Sequence, residues 1–324
     1  QDEPAANAQQ HLQNAGRKAE RQRRERGNIQ ARAVEAPAQW ERGNFVCVGL
    51  DSDYTKIPEH RRTADAAETI RTFNVAIINA TKGFVCAYKS NTAFYEAHGE
   101  PGLLALRETI HYIHRVAHEI PIILDAKRAD IGNTNAGYVQ MAFNVLQADA
   151  ITVHPYLGEE ALRPFLEKED KGIIVLCRTS NPGAGEFQDL EVGYLSTKIP
   201  ECTFRVPLYQ YVAQRVAEHW NTRGNCGLVV GATYPAELRW VREIVHDMPI
   251  LIPGVGFQQK NVPLEEQVKQ VVEAGQDSRG KGMIINSSRG IIFASDGPDF
   301  AEAARRETIK LRDLINQYRY AKKV

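Results

Sequence analysis

Eight short apolar runs set the strongest limit on this fold; each ends in polar residues or glycine and is followed by further chain long enough for a helix. They read NFVCVGLD (44–51), GFVCAYKS (83–90), PIILDAKR (121–128), AITVHPY (150–156), GIIVLCRTS (172–180), CGLVVGAT (226–233), PILIPGVG (249–256) and GMIINSSRG (282–290). Near-continuous apolarity marks strands covered on both faces, as in a parallel sheet wrapped by helices. Between them lie segments such as DAAETIRTFNVAIINAT, LLALRETIHYIHRVAHE and EEQVKQVVEAG. In the second, Leu103, Leu106, Ile110, Ile113 and Ala117 recur at helical spacing and define an expected buried face. Eight such units predict a (β/α)8 barrel, for which about 250 residues suffice. A doubly wound open sheet is the alternative, but no GxGxxG follows the first strand as its dinucleotide-binding form requires.

The first 39 residues do not share this pattern. GRKAERQRRERGNIQAR carries seven cations (Arg17, Lys18, Arg21, Arg23, Arg24, Arg26, Arg32) against Glu20 and Glu25. It reads as a solvated polar extension, with the barrel domain expected over 40–324; it lacks the apolar core of a secretory signal and the Ser-rich, acid-poor character of a transit peptide. Across the chain, 40 Lys and Arg balance 40 Asp and Glu, so no global field points to nucleic acid or an acidic membrane. No apolar run reaches the length of a membrane span. The five cysteines (47, 86, 177, 202, 226) form no CxxC pair, and four lie in strand-like runs. Reduced core thiols, a cytoplasmic location and no cysteine-bound metal are expected.

Catalytic groups of a barrel collect at the C-terminal ends of its strands. Those ends carry Asp51, Lys89, Asp125 with Lys127, His154, Arg178 with Thr179, Thr233, Gly254 with Gly256, and Arg289. Residues i and i+2 of a strand share a face, so Asp125 and Lys127 are expected side by side, within reach of Asp51 and Lys89 from the preceding strands. Asp130 lies past its strand and need not face its own barrel. Alternating carboxylates and ammoniums hold one another ionised, in a catalytic array or in a structural rim network alike. The last two strand ends, PGVG (253–256) and NSSRG (286–290), offer backbone N–H groups and an Arg fork to a phosphate. His111, His114 and His118 have a spacing that can serve a metal, but they precede the third strand, on the side away from the site, and read as a solvated helix face.

DAKRADIGNT, together with VGLD, AYKSNTAFYE, LCRTSNPGAGEFQDL, PGVG and NSSRGI, resembles the orotidine 5′-phosphate decarboxylase family in its longer bacterial branch, from about residue 40 to 318. The resemblance implies a (β/α)8 barrel homodimer that converts orotidine 5′-monophosphate to UMP and CO2 in pyrimidine biosynthesis, with neither metal nor organic cofactor. It implies that Lys127 stabilises the carbanion at C6 and protonates it, with Asp125 near the departing carboxylate. Lys89 would bind the ribose and orient Asp125, and Asp51 would bind the ribose hydroxyls. Asp130 and Thr134 would come from the partner subunit. Thr179, Ser180 and Asn181 would meet the pyrimidine edge, and Gly254, Gly256 and Arg289 would cradle the phosphate. The Gly- and Pro-rich segment 181–207 is a candidate lid or a plain surface insertion. A metal-dependent sugar-phosphate lyase or decarboxylase of the same superfamily, or a non-catalytic nucleotide-binding barrel, are the alternatives.

Overall fold

The structure, a computed structural model, describes residues 36–195, 203–256 and 261–319. Its first half runs β1 (Val46–Gly49), α1 (Ala66–Thr81), β2 (Val85–Asn91), α2 (Gly99–Val116), β3 (Ile122–Arg128), α3 (Gly132–Val139), β4 (Ala150–Val153), α4 (Gly158–Leu166) and β5 (Gly172–Arg178). An insertion carries β6 (Glu191–Leu195) and β7 (Thr203–Pro207). Then follow α5 (Leu208–Arg215), β8 (Cys226–Val230), α6 (Pro235–Val245), β9 (Ile250–Pro253), α7 (Leu264–Gly275), β10 (Met283–Ser287) and α8 (Phe300–Tyr318). Eight strands close a barrel in the order β1-β10-β9-β8-β5-β4-β3-β2, every neighbouring pair parallel. The predicted runs supply all eight barrel strands, and the open-sheet alternative falls with the closure of β1 on both β2 and β10.

Local chemistry explains the element ends. Asp65 accepts a hydrogen bond from the Glu68 N–H at 3.1 Å and caps α1, with an acidic residue in the first turn. In α2 the buried face is Gly102, Ala105, Leu106, Thr109, Ile110 and Ile113, while Leu103 is 44% exposed, contrary to the expected face. The reason is contact at Gly102, where an added Cβ would stand 1.9 Å from the Tyr95 carbonyl oxygen. The helix rests on that backbone, and Leu103, about a quarter-turn away, flanks the stripe.

The packed chain already includes Ala36 and Trp40, both buried, with Trp40 stacked 6.2 Å from Phe45. The basic segment 16–32 lies outside the described residues. Segment 181–207 is not plain loop: Pro182–Ala184 and Gly185–Gln188 form short helical turns, and β6 pairs antiparallel with β7. Residues 196–202, Cys202 among them, lie outside the described residues. Cys47, Cys86, Cys177 and Cys226 are buried free thiols, and burial pushes Cys47, Cys177 and Cys226 up to about 12. No helix among the described residues is long and apolar enough to cross a membrane.

Helix α7 presses close to β9. A Cβ at Gly275 would lie 2.9 Å from Ile252 Cδ1, and Ile252 is fully buried. Ile252→Ala should therefore cost about 2–5 kcal/mol of stability, read as a lower urea midpoint, with the activity of the folded fraction unchanged because this side chain faces α7.

Candidate active site

Four adjacent strand ends converge on one carboxylate. Lys89 of β2 pairs with Ile123 of β3 and Asn91 with Asp125, so Lys89 and Asp125 stand on one face, two residues out of register, within side-chain reach. Lys89 Nζ lies 2.8 Å from Asp125 Oδ2 and 3.6 Å from Asp51 Oδ1. Lys127 Nζ lies 2.7 Å from Asp125 Oδ1. The same Oδ1 accepts the Thr152 hydroxyl of β4 at 2.9 Å. The side chain of Lys89 is 4% exposed and that of Asp125 11%, whereas Lys127 is 47% exposed, so one ammonium sits inside and the other faces the mouth.

The simple i, i+2 expectation for Asp125 and Lys127 needs a correction. Lys127 has φ +46°, and the β3–β4 register slips between Leu124 and Arg128. Extended alternation has already ended at Lys127. Its ammonium reaches Asp125 because the backbone turns in the left-handed region, not because the two side chains project in parallel.

The array fixes its own charge states. Burial opposes ionisation of Asp125, but Lys89 and then Lys127 outweigh it and hold the carboxyl well below the usual range. Burial likewise opposes the Lys89 ammonium, and Asp125 with Asp51 overcomes it and raises that group above its ordinary value. Both therefore stay charged throughout the neutral range.

Asp51 is seated from two sides. Its Oδ1 accepts the Asn91 N–H at 3.3 Å and its Oδ2 the Ser288 hydroxyl at 2.7 Å. Ser288 lies so close to β1 that a Cβ on Gly49 would stand 2.6 Å from its Oγ. Beneath Asp51 a buried network anchors the loop: Ser52 donates to Asn74, Asn74 donates to the Tyr95 and Thr109 oxygens, and the Tyr95 hydroxyl donates to the Leu50 carbonyl.

On the opposite wall, Gly254 and Gly256 have φ +106° and +87°, a region that favours glycine. The Gly256 N–H donates to Gln267 Oε1 at 3.0 Å, so this expected phosphate donor has a side-chain partner in α7. Arg289 is exposed at the first position of the short helix Arg289–Ile292, immediately after Ser288. The Ser287 hydroxyl donates to the Val255 carbonyl at 3.2 Å and ties the two loops together.

After β5, the Thr179 hydroxyl donates to Asn181 Oδ1 at 2.7 Å, and the Thr179 N–H donates to Gln188 at 2.8 Å. Ser180 crosses β8 where Gly231 leaves room; a Cβ there would lie 2.6 Å from Ser180 Cβ. Arg178 is the buried anchor of this segment, paired with Asp189 at 2.9 Å and lying 3.8 Å over the Tyr234 ring.

Asp130 and Thr134 are not brought into the array. Asp130 Oδ1 accepts the Ile131 N–H at 2.6 Å, its backbone N–H bonds Asn135, and it makes no ion pair among the described residues. Thr134 is exposed in the first turn of α3. His114 bonds the Gln147 carbonyl oxygen at 2.8 Å, a structural contact; among the described residues no group of three His, Cys, Asp or Glu could hold a metal. Three residues of this mouth escaped the sequence reading: Thr152, Ser288 and, as a network partner, Gln188. Ser288 and Gln188 carried a signal, their places inside NSSRG and LCRTSNPGAGEFQDL; Thr152 carried none.

Known proteins resemble this chain in sequence and in fold. The model of the orotidine 5′-phosphate decarboxylase / HUMPS family matches residues 44–306. Orotidine 5′-phosphate decarboxylase from Ralstonia nicotianae is 47% identical over 283 residues, covering 87% of this chain and 97% of the relative. The enzyme of the same name from Cellvibrio japonicus is 45% identical, covering 86% and 95%. Among solved structures, the OMP decarboxylase of Leishmania donovani superposes with a TM-score of 0.68 at 36% identity, covering 84% of this chain and 95% of that one.

The charge array makes a demand that does not depend on any relative. A depressed carboxyl adds stability above its unfolded value, about 3.9, and that stability is lost as pH falls toward the folded value. Asp125→Asn leaves Lys89 buried with its nearest partner neutralised, at a cost on the order of 3 kcal/mol at neutral pH. The difference from wild type should shrink as pH falls below about 4, measured by urea unfolding at successive pH values; a difference independent of pH would refute the pairing.

Proposed function

The chain belongs to the orotidine 5′-phosphate decarboxylase / HUMPS family, and on that footing we propose that its barrel mouth decarboxylates orotidine 5′-monophosphate to UMP and CO2, in the cytoplasm, as a step of pyrimidine biosynthesis. One observation carries the reading: a single ionised carboxylate, Asp125, held between a buried ammonium and one open to the mouth.

The reaction breaks the bond between C6 of the pyrimidine and its carboxylate. CO2 departs and the bonding pair stays on C6, where no adjacent carbonyl can accept it. A fixed ammonium beside that carbon is the direct electrostatic remedy, and it acts most strongly where water is excluded. Lys127 is that ammonium. Its proton passes to C6 to give UMP, and the neutral amine regains a proton from water before the next turnover. Asp125 and Lys89 keep the array charged and aimed, so no reorganisation is required as the carbanion develops. Enzymes lower barriers by about 8–23 kcal/mol, more than one ammonium supplies, so binding energy from the phosphate and ribose must also contribute.

In this reading Asp51 takes the ribose hydroxyls, with Lys89 beside it. The glycine loop at Gly254 and Gly256 and the Arg289 guanidinium take the phosphate. Thr179, Ser180 and Asn181 read the pyrimidine edge. The Gly256 N–H must exchange its Gln267 bond for a phosphate oxygen, which ties α7 to substrate binding. Asp130 and Thr134, which make no hydrogen bond or ion pair to their own array among the described residues, serve the site of a second subunit in this reading, making the working unit a homodimer.

Incubated with orotidine 5′-monophosphate after chelation with EDTA, the wild type should bleach the orotidine absorbance band at its full rate. Loss with EDTA would favour the metal-dependent members of the superfamily. Lys127→Ala should lower kcat by at least about 10²–10³-fold. Mixing separately inactive Lys127→Ala and Asp130→Asn proteins should restore up to about a quarter of wild-type activity, because half of randomly assorted dimers then carry one intact site. No recovery after verified subunit exchange would refute the shared site.

A further inference from the structure

We propose that Thr152 is a positioning residue for the decarboxylation, its hydroxyl fixing both the plane of the Asp125 carboxylate and the backbone that presents Lys127. The proposal rests on the reading of Lys127 as the proton donor.

Thr152 lies on β4 and is 1% exposed, inside the barrel rather than at its rim. Pairing between β3 and β4 is regular through Leu124 and Ile151, then slips, and resumes at Arg128 and Val153. Across that slip, Asp125, Ala126 and Lys127 face the single residue Thr152. A bulge of this kind leaves backbone groups without ladder partners. The Thr152 hydroxyl takes up one of them, accepting the Lys127 N–H at 3.0 Å. An amide N–H can only donate, so the oxygen accepts there and the hydroxyl's one proton is left for Asp125 Oδ1, at 2.9 Å. The direction of both bonds is fixed without choosing any rotor.

The consequences meet at the reacting group. Lys127 has φ +46°, a conformation that residues bearing a Cβ seldom adopt. Its N–H bond to Thr152 is a side-chain contact holding that turn. Asp125 Oδ1 receives Thr152 and Lys127 Nζ, while Oδ2 receives Lys89, so three donors define the carboxylate plane. Removing the hydroxyl frees the carboxylate to rotate and orphans a backbone N–H. Both changes move the Lys127 ammonium from its place, and displacements near 1 Å can cost about 10²-fold in rate.

Two substitutions separate positioning from packing. Thr152→Val keeps the branched shape and loses the hydroxyl; Thr152→Ser keeps the hydroxyl and loses the methyl. Positioning predicts that valine lowers kcat about 10–100-fold with KM within about threefold, while serine stays within about threefold of wild type in both. Exchange of the C6 hydrogen of UMP with D2O, the proton step run backwards, should fall in the valine protein in parallel with kcat. UMP affinity, measured by calorimetry, should be retained. A packing role predicts the reverse order, with serine the impaired protein. Should the valine protein not fold, Thr152→Ala against Thr152→Ser makes the same comparison, alanine expected to be slow and serine active. The proposal is overturned if the valine protein turns over like wild type, or if serine is impaired as much as valine. A wild-type protein inert toward orotidine 5′-monophosphate would instead overturn the functional reading itself.

Discussion

A carboxylate clamped between two ammonium groups governs what this barrel mouth can be. Asp125 receives Lys89 on one oxygen and Lys127 on the other, at 2.8 and 2.7 Å, and Thr152 besides. As a source of stability such a cluster is poor, since desolvation cancels much of the attraction and apolar replacements of buried pairs are often neutral or better. Its value is electrostatic order in a confined place. Closure of eight parallel strands supplies the confinement, because every strand points its C-terminal end at the same opening. The fold thus assembles the charges and excludes water from Lys89 without any further element.

From this cluster a hydrogen-bonded frame extends around the mouth. Lys89 leads to Asp51, Asp51 to Ser288, and Ser288 is followed directly by Arg289 at the start of its short helix. Gly49 has no side chain because Ser288 occupies that space. The charge array is therefore tied through Asp51 and Ser288 to the loop that carries Arg289. Such continuity would keep a ligand's remote groups and its reacting atom in fixed relation, as use of remote binding energy requires.

Much of this was legible in the sequence, for a physical reason. Strands buried on both faces must be apolar along their length, and charges that interrupt them at a constant end advertise a shared mouth. Asp51, Lys89, Asp125 and Lys127 were readable on that basis, and the structure brings them together. Thr152 was not, because a β-branched threonine inside AITVHPY satisfies strand propensity and gives no sign that its hydroxyl has two partners. Arg178 read as one of the polar strand ends, yet it is buried against Asp189 and Tyr234, partners from two other parts of the chain. Leu103 matched the helical period but missed the buried stripe, which the Gly102 contact with Tyr95 had set. Each of these depends on contacts between separate elements of the chain, which periodicity does not encode.

The requirements placed on β3 change along its length, and the local distortion marks the change. Up to Leu124 the strand must pair with β2 and β4 to close the barrel, which demands extended backbone. Beyond Asp125 it must present the Lys127 ammonium to that carboxylate at the barrel mouth, and there the β3–β4 register slips. The bulge separates the two demands within three residues, and Arg128 ends it by returning to register with Val153 while donating to the Ala126 carbonyl and pairing with Glu96. Lys127 is thus held in an unfavourable backbone conformation between two well-anchored points. Its conformation is determined by its neighbours and not by its own preference, the condition under which strained backbone persists at functional sites.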